Sequence, residues 1–348
     1  MVHNCWLKPI NFMKNKKILV TGGAGYIGSH VVRQLGKAGE SVVTLDNLCT
    51  GFEAAITAGD LVIGDTGDAA LLDSLFAEHE IDTVMHFAAH TIVPESVADP
   101  LKYYRNNTAN SRTLLAACQK HGVQHFVFSS TAAVYGIPPD GKAAETTPTE
   151  PINPYGTSKL MTEWMLRDLE VAGGPKYVTL RYFNVAGSEP SGTIGQSTPH
   201  ATLLVKVACE VAVGRRSQLS IFGTDYSTPD GTALRDYIHV EDLATAHLDA
   251  LAYLRGGGEP VTLNCGYGHG HSVREVVHAV EQACGESLNQ VEAPRRAGDP
   301  PVLVAVAEEI RRVIGWTPKF DDLETIVTTS LAWERKIAAE DPSAYWPT

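Results

Sequence analysis

The sequence has 348 residues, 44% of them hydrophobic, and a formal net charge of −12. That length supports a large core in one domain or two interlocked ones, and an acidic chain with no basic stripe argues against a nucleic-acid partner. No apolar run of 18 or more residues occurs, so no membrane span is expected.

Residues 1–16 hold no apolar block of signal-peptide length and read as a disordered N-terminal extension. Lys17 to Thr21 (KILVT) reads as a buried strand, followed by glycines and a helix from Tyr26 to about Lys37. Ser41 to Leu45 is a second strand ending at Asp46; Leu61 to Ile63 and Thr83 to Phe87 are further short strands. Helical patterns lie at Ala69–His79 and Pro100–His121, and His125 to Ser129 and Tyr177 to Tyr182 continue the alternation. Apolar strands alternating with helices predict an α/β fold, a Rossmann-type doubly wound parallel sheet. After about Gly187 the pattern is richer in Gly, Pro and Ser, which predicts a smaller C-terminal substrate-binding region over 188–236 and 267–340. Residues 237–266, helical from Val240 to Ala252, read as a return to the first domain, 17–187. The cysteines, Cys5, Cys49, Cys118, Cys209, Cys265 and Cys284, are scattered without a C-x-x-C pair, which suits reduced thiols in a cytoplasm.

Gly22, Gly25 and Gly28 form G-x-x-G-x-x-G between the first strand and the first helix. Glycine permits the tight turn and lets backbone N–H groups approach a pyrophosphate, and the helix dipole favours the anion. A plain strand-to-helix turn would look similar, but Asp46 ends the second strand 18 residues after Gly28. A carboxylate there reaches adenosine ribose hydroxyls and repels a 2′-phosphate, which favours NAD over NADP. Asp65, after the third strand, is a candidate acceptor for the adenine amino group, or simply a loop carboxylate.

Tyr155 and Lys159 form Y-x-x-x-K on a helix that Asn153 caps and Pro154 opens. A free tyrosine has a pKa of about 10; a nearby lysine cation favours the phenolate and makes it a usable base. Thr131 follows a strand, at the crevice side of a parallel sheet, where its hydroxyl is placed to share a substrate proton with Tyr155. Arg235 and Arg296 are candidate phosphate forks, with surface salt bridges as the alternative. His269 and His271 form an HxH pair without a third ligand at metal spacing, and Ser272 reads as a helix cap, so no metal is expected.

The motifs TGGAGYIGSH, LDNL, HFAA, ESVADPLKYYRNN, FSSTAAVYG, PYGTSKLMTE, RYFNVAG, IFGTDYSTPDGTALRDYIHV and PRRAGDPP resemble those of UDP-glucose (UDP-galactose) 4-epimerases. These are members of the extended short-chain dehydrogenase/reductase superfamily. The resemblance runs from about Lys17 to Trp333. It implies cofactor contacts at Gly22, Gly25, Tyr26, Ile27, Asp46, Asn47, Asp65, Phe87, Ala88, Asn106, Tyr155, Lys159 and Tyr182, and a catalytic hydroxyl pair at Thr131 and Tyr155. It places Phe183 and Asn184 beside the sugar and diphosphate, Phe222 near uracil, Arg235 and Arg296 on the diphosphate, and Asp299 on the uridine ribose. Leu303 stands where a residue tunes the sugar pocket. Thr91 and Leu203 depart from residues common in relatives, Lys and Asn or His respectively, with His200 a candidate substitute for the latter.

The implied activity is interconversion of UDP-glucose and UDP-galactose, with tightly bound NAD oxidising and then re-reducing C4. The implied assembly is a homodimer paired through the Pro100–His121 and Tyr155–Val171 helices. A 4-epimerase of another UDP-sugar (pentose, uronate or N-acetylhexosamine) has the same signature. A 4,6-dehydratase needs an acid and a base after the catalytic hydroxyl, where this chain has Ala132 and Ala133. A silent NAD-binding regulator would not need Tyr155, Lys159, Thr131 and both arginines together.

Overall fold

The computed structural model describes residues 16–198, 201–296 and 299–340. The extension over 1–15 and His200 lie outside them. Strands β1 (Lys17–Thr21), β2 (Val42–Asp46), β3 (Asp60–Ile63), β4 (Ile81–His86) and β5 (His125–Thr131) alternate with helices α1 (Tyr26–Lys37) and α2 (Ala69–His79) and with the stretch from α3 (Val93–Ala98) and α4 (Pro100–Tyr103) to α5 (Asn110–His121). A two-residue strand β6 (Lys142–Ala143), helix α6 (Pro154–Val171) and strand β7 (Lys176–Tyr182) follow. Next come β8 (Asn184–Ala186), α7 (Leu204–Ala212), β9 (Leu219–Phe222), β10 (Leu234–Arg235) and β11 (Tyr237–His239). Helix α8 (Val240–Arg255) and β12 (Val261–Cys265) then precede β13 (His271–Ser272), α9 (Val273–Cys284), β14 (Gln290–Ala293), β15 (Val302–Ala305), α10 (Glu308–Ile314) and α11 (Leu323–Ala339).

The main sheet runs β12-β7-β5-β4-β1-β2-β3, with every pairing parallel. Its strands are apolar on both faces because both are covered. Leu19, Val43, Leu45, Val84, Phe126 and Phe128 meet Leu72, Phe76, Leu114 and Leu166 of α2, α5 and α6 on one side. Ile18, Val20, Met85, Val127, Val178 and Leu180 share the other core with Val31, Leu35, Leu243 and Leu251 of α1 and α8. β12 beside β7 and α8 beside α1 bring residues 237–266 back onto this sheet. A smaller sheet has the order β13-β10-β15-β6, and β11-β8 and β14-β9 form two further pairs.

Local chemistry accounts for the helix starts. Asp68 accepts from the N–H groups of Ala70 and Leu71, Asn153 from that of Gly156, and Ser272 with Glu275 completes a capping box. Two details depart from the sequence expectation. The stretch expected as one helix over Pro100–His121 contains a π-helical turn, Tyr104–Ala109, between α4 and α5, a form that recurs at functional sites. Thr131 is the last residue of β5 rather than a residue beyond it. No helix among the described residues is long and apolar enough to cross a membrane.

Candidate active site

At Gly22 and Gly28 the turn is shaped by contacts that leave no room for a side chain. Gly22 sits at φ +70°, and a Cβ there would meet the backbone N of Ala88 at 2.5 Å. A Cβ on Gly28 would lie 2.2 Å from the Gly22 carbonyl oxygen, which locks α1 against the turn. The same atom on Gly25 would meet only the Gly22 oxygen, at 3.3 Å, so this glycine borders open space at the N-terminus of α1. The N–H groups of Phe87 and Ala88 donate to the Thr21 carbonyl, which holds the end of β4 beside the turn. Tyr26 closes the far side by donating its hydroxyl to the Gly187 carbonyl at 2.6 Å.

Asp46 ends β2 with its carboxylate between the turn and the following loop. It accepts from the N–H of Ala24 at 2.9 Å and of Leu48 at 2.8 Å. Burial raises its pKa, and those two bonds pull the other way. Asn47 donates to Asp65 at 3.0 Å, and Asp65 also accepts from Gly67 N and from the Asn110 side chain. A carboxylate, an open glycine turn and a helix N-terminus in this order fit a dinucleotide pyrophosphate and its ribose. Changing Asp46 to Ala is expected to weaken NAD retention, measured as nucleotide released per chain on denaturation; unchanged retention, or release of NADP from the wild type, contradicts the ribose role.

The hydroxyl pair expected to be catalytic involves the end of β5 and the start of α6. Thr131 accepts from Ala133 N at 3.1 Å. Burial raises the Tyr155 pKa, and the nearby Thr131 hydroxyl opposes it. Lys159 Nζ donates to the Ser129 carbonyl at 2.8 Å and sits 4.9 Å from the Phe128 ring centroid. Burial lowers the Lys159 pKa to about 7, against the pull of Glu163. Tyr182 joins the cluster through a 2.8 Å bond between its hydroxyl and Ser129 Oγ.

Below this cluster, Glu163 accepts from Ser130 Oγ at 2.5 Å and from Arg181 Nη2 at 2.5 Å. The pair is buried and ties α6 to β5 and β7. In the π turn, Asn107 donates to the His90 carbonyl at 2.9 Å and to Ser158 Oγ at 3.0 Å, while Asn106 donates to Asn107. Neither Asn107, Ser129 nor Glu163 stands out in the sequence, because each acts through partners brought in by the fold.

Of the residues expected to contact a sugar nucleotide, Arg235 and Leu303 lie on the smaller sheet. Arg235 is ion-paired with Asp299 and lies in register with Leu303 on β15, so both side chains leave the same face. Arg296 lies with its guanidinium carbon 3.8 Å from the Phe222 ring centroid. Asn184 N donates to the Asp236 carbonyl at 2.9 Å, which brings the Phe183–Asn184 segment next to Arg235. Asp236, fully buried, accepts from the N–H groups of Tyr267, Gly268 and Ala305 and so fixes the strand that carries Arg235. Its role also escaped the sequence reading. Thr91 is exposed, Leu203 caps α7, and His269 is bonded to Asp321 at 2.6 Å.

A parallel sheet with this turn, carboxylate and hydroxyl pair defines a nicotinamide-dinucleotide enzyme of the short-chain type, and the chain belongs to the NAD dependent epimerase/dehydratase family, which matches residues 18–266. It is 58% identical over 322 residues to the UDP-glucose 4-epimerase of Azospirillum brasilense, with 92% of each chain covered. A solved structure of the UDP-Glc/GlcNAc 4-epimerase from Campylobacter jejuni aligns with a TM-score of 0.81 at 48% identity, covering 92% of this chain and 100% of that one. The UDP-glucose 4-epimerase of Bifidobacterium longum, solved with NAD+ and UDP, aligns with a TM-score of 0.88 at 39% identity, covering 92% and 98%.

Proposed function

We propose that this chain interconverts UDP-glucose and UDP-galactose, and that the paired hydroxyls of Thr131 and Tyr155 carry the proton chemistry at C4. The observation that supports this most is that pair, both buried, with the Thr131 hydroxyl drawing the Tyr155 pKa down against burial and Lys159 buried one turn along the same helix, bonded to the Ser129 carbonyl. Tyr155 takes the proton of the C4 hydroxyl and later returns one to the C4 oxygen, with Thr131 sharing it. NAD, when bound, supplies the oxidant that takes hydrogen from C4 and the reductant that gives it back. Lys159 holds the nicotinamide ribose, and Gly22, Gly25, Tyr26, Ile27, Gly28, Asp46, Asn47, Asp65, Phe87, Ala88, Asn106 and Tyr182 hold the rest of the dinucleotide. Arg235 and Arg296 neutralise the sugar nucleotide's diphosphate, Phe222 packs on uracil, and Asp299 takes the uridine ribose. Phe183 and Asn184 flank the sugar, which turns over while the UDP half stays anchored.

Residues 17–187 with 237–266 form the cofactor unit in this reading, and 188–236 with 267–340 cover the sugar nucleotide. The side chains that follow Thr131 are Ala132 and Ala133, which carry no proton, and this disfavours a dehydratase. Exposed Val97, Leu101 and Trp164 on α3, α4 and α6 support a homodimer through those helices, and the unpaired Cys49, Cys118, Cys209, Cys265 and Cys284 support a cytoplasmic location. The direct test is to incubate the purified protein with UDP-galactose without added NAD and separate the products. UDP-glucose is expected; a 4-keto-6-deoxy sugar or no conversion contradicts the proposal.

Leu303 sets the breadth of this activity. An acetamide at C2 buried against a branched apolar side chain lacks a hydrogen-bond partner, which costs roughly 1–3 kcal/mol, on the order of ten- to a hundredfold in relative rate. UDP-N-acetylglucosamine is therefore expected to be a weak substrate, and Leu303→Ser to raise its relative kcat/KM. Equal kcat/KM for both sugar pairs in the wild type would overturn this, and an unchanged ratio in the variant would remove Leu303 from the pocket.

A further inference from the structure

We propose that His247 is a positioning residue for the nicotinamide end of the site, acting through the rings of Phe87 and Tyr182. The inference rests on the NAD-dependent reading above. His247 lies on α8 and is fully buried. Its ring centroid is 4.7 Å from that of Phe87, tilted by 43°, and 6.5 Å from that of Tyr182, tilted by 59°. Phe87 follows β4 and Tyr182 ends β7, and these strands flank β5, which carries Ser129 and Thr131. One imidazole therefore touches the aromatic walls on both sides of the catalytic strand.

The ring is held in one orientation. Nδ1 is 2.8 Å from the Leu243 carbonyl, one helical turn back, which places the proton on Nδ1 and leaves Nε2 an acceptor. Burial lowers the pKa to about 4, with the Leu243 carbonyl opposing, so the ring is neutral at ordinary pH. Nε2 is buried and has no hydrogen-bond partner among the described residues. An unbonded buried nitrogen destabilises a fold, and a leucine of similar bulk would fill the space without that cost. What leucine lacks is a rigid flat ring whose plane is set by its own backbone bond. Through Tyr182 the restraint continues to Ser129, whose carbonyl holds Lys159.

The experiment compares wild type, His247→Leu and Phe87→Leu, each purified with the NAD it retains. Bound cofactor is reduced chemically with borohydride in the absence of sugar, and its fluorescence emission is recorded. Then kcat and KM are measured with UDP-galactose. In His247→Leu we expect kcat to fall about 10- to 100-fold with KM within about twofold, the pattern of a misplaced reacting group. The emission maximum should shift, while the unfolding midpoint is unchanged or higher. Phe87→Leu, which alters the same wall directly, should shift the emission the same way. Wild-type emission and kcat in His247→Leu overturn the inference. Should that variant not fold, His247→Asn replaces it, because its amide still donates towards Leu243, and the same outcomes apply; unshifted emission in Phe87→Leu also overturns the inference. A wild-type protein without NAD or without conversion of UDP-galactose refutes the underlying reading, whereas a competent wild type with indistinguishable variants refutes His247 alone.

Discussion

Changing Tyr155 to phenylalanine is expected to lower kcat roughly 10²–10⁴-fold, the usual weight of acid–base catalysis by one side chain, while NAD stays on the protein. The substitution keeps the ring in a buried slot and deletes only the hydroxyl. Thr131 still accepts from Ala133 N, so the local backbone has no reason to move. At about 1.4 kcal/mol per tenfold, the loss corresponds to roughly 3–5 kcal/mol of transition-state stabilisation. Steady-state kinetics with UDP-galactose and the nucleotide content of the denatured protein check both halves. Near-wild-type kcat would remove Tyr155 from the role of base.

Glu163→Ala is expected to cost about 3–5 kcal/mol of folding stability, because it strands the Arg181 guanidinium in the interior. Burial by itself would lower the Arg181 pKa, yet the bonds and charge of Glu163 hold it above its ordinary value. With the carboxylate gone, Arg181 keeps only the Tyr135 hydroxyl, at 3.0 Å from Nη1, and Ser130 loses its acceptor. Glu163 also lies one turn beyond Lys159 on α6, so the loss loosens the helix that carries Tyr155 and Lys159, the residues proposed for catalysis. Replacing both Glu163 and Arg181 by methionine is expected to recover much of the stability, since a buried pair exchanged for apolar side chains is often neutral. Denaturant unfolding measures both; a loss below about 1 kcal/mol for Glu163→Ala would show that the pair is solvated rather than buried.

Much of the framework was legible because it depends on short-range chemistry. The glycine turn, the Asp46 strand end and the Asn153–Pro154 helix start are set by residues within a few positions of one another, and each lies where the spacing placed it. What the pattern did not carry is pairing over long distances. Asp236 is defined by partners at 267, 268 and 305, and Glu163 by residues 130 and 181. The π turn at Tyr104–Ala109 has no periodicity signal distinct from that of a helix, and it turns Asn107 inward onto the chain around His90. The spacing of Tyr155 and Lys159 was legible, but not the Ser129 carbonyl that claims the ammonium.

The central claim is that C4 loses and regains its own hydrogen within one closed site. UDP-galactose carrying deuterium at C4, turned over to equilibrium without added nucleotide, tests it most directly. The account predicts UDP-glucose with the deuterium still at C4 and none lost to water; UDP-glucose in which C4 has exchanged with solvent hydrogen would contradict it.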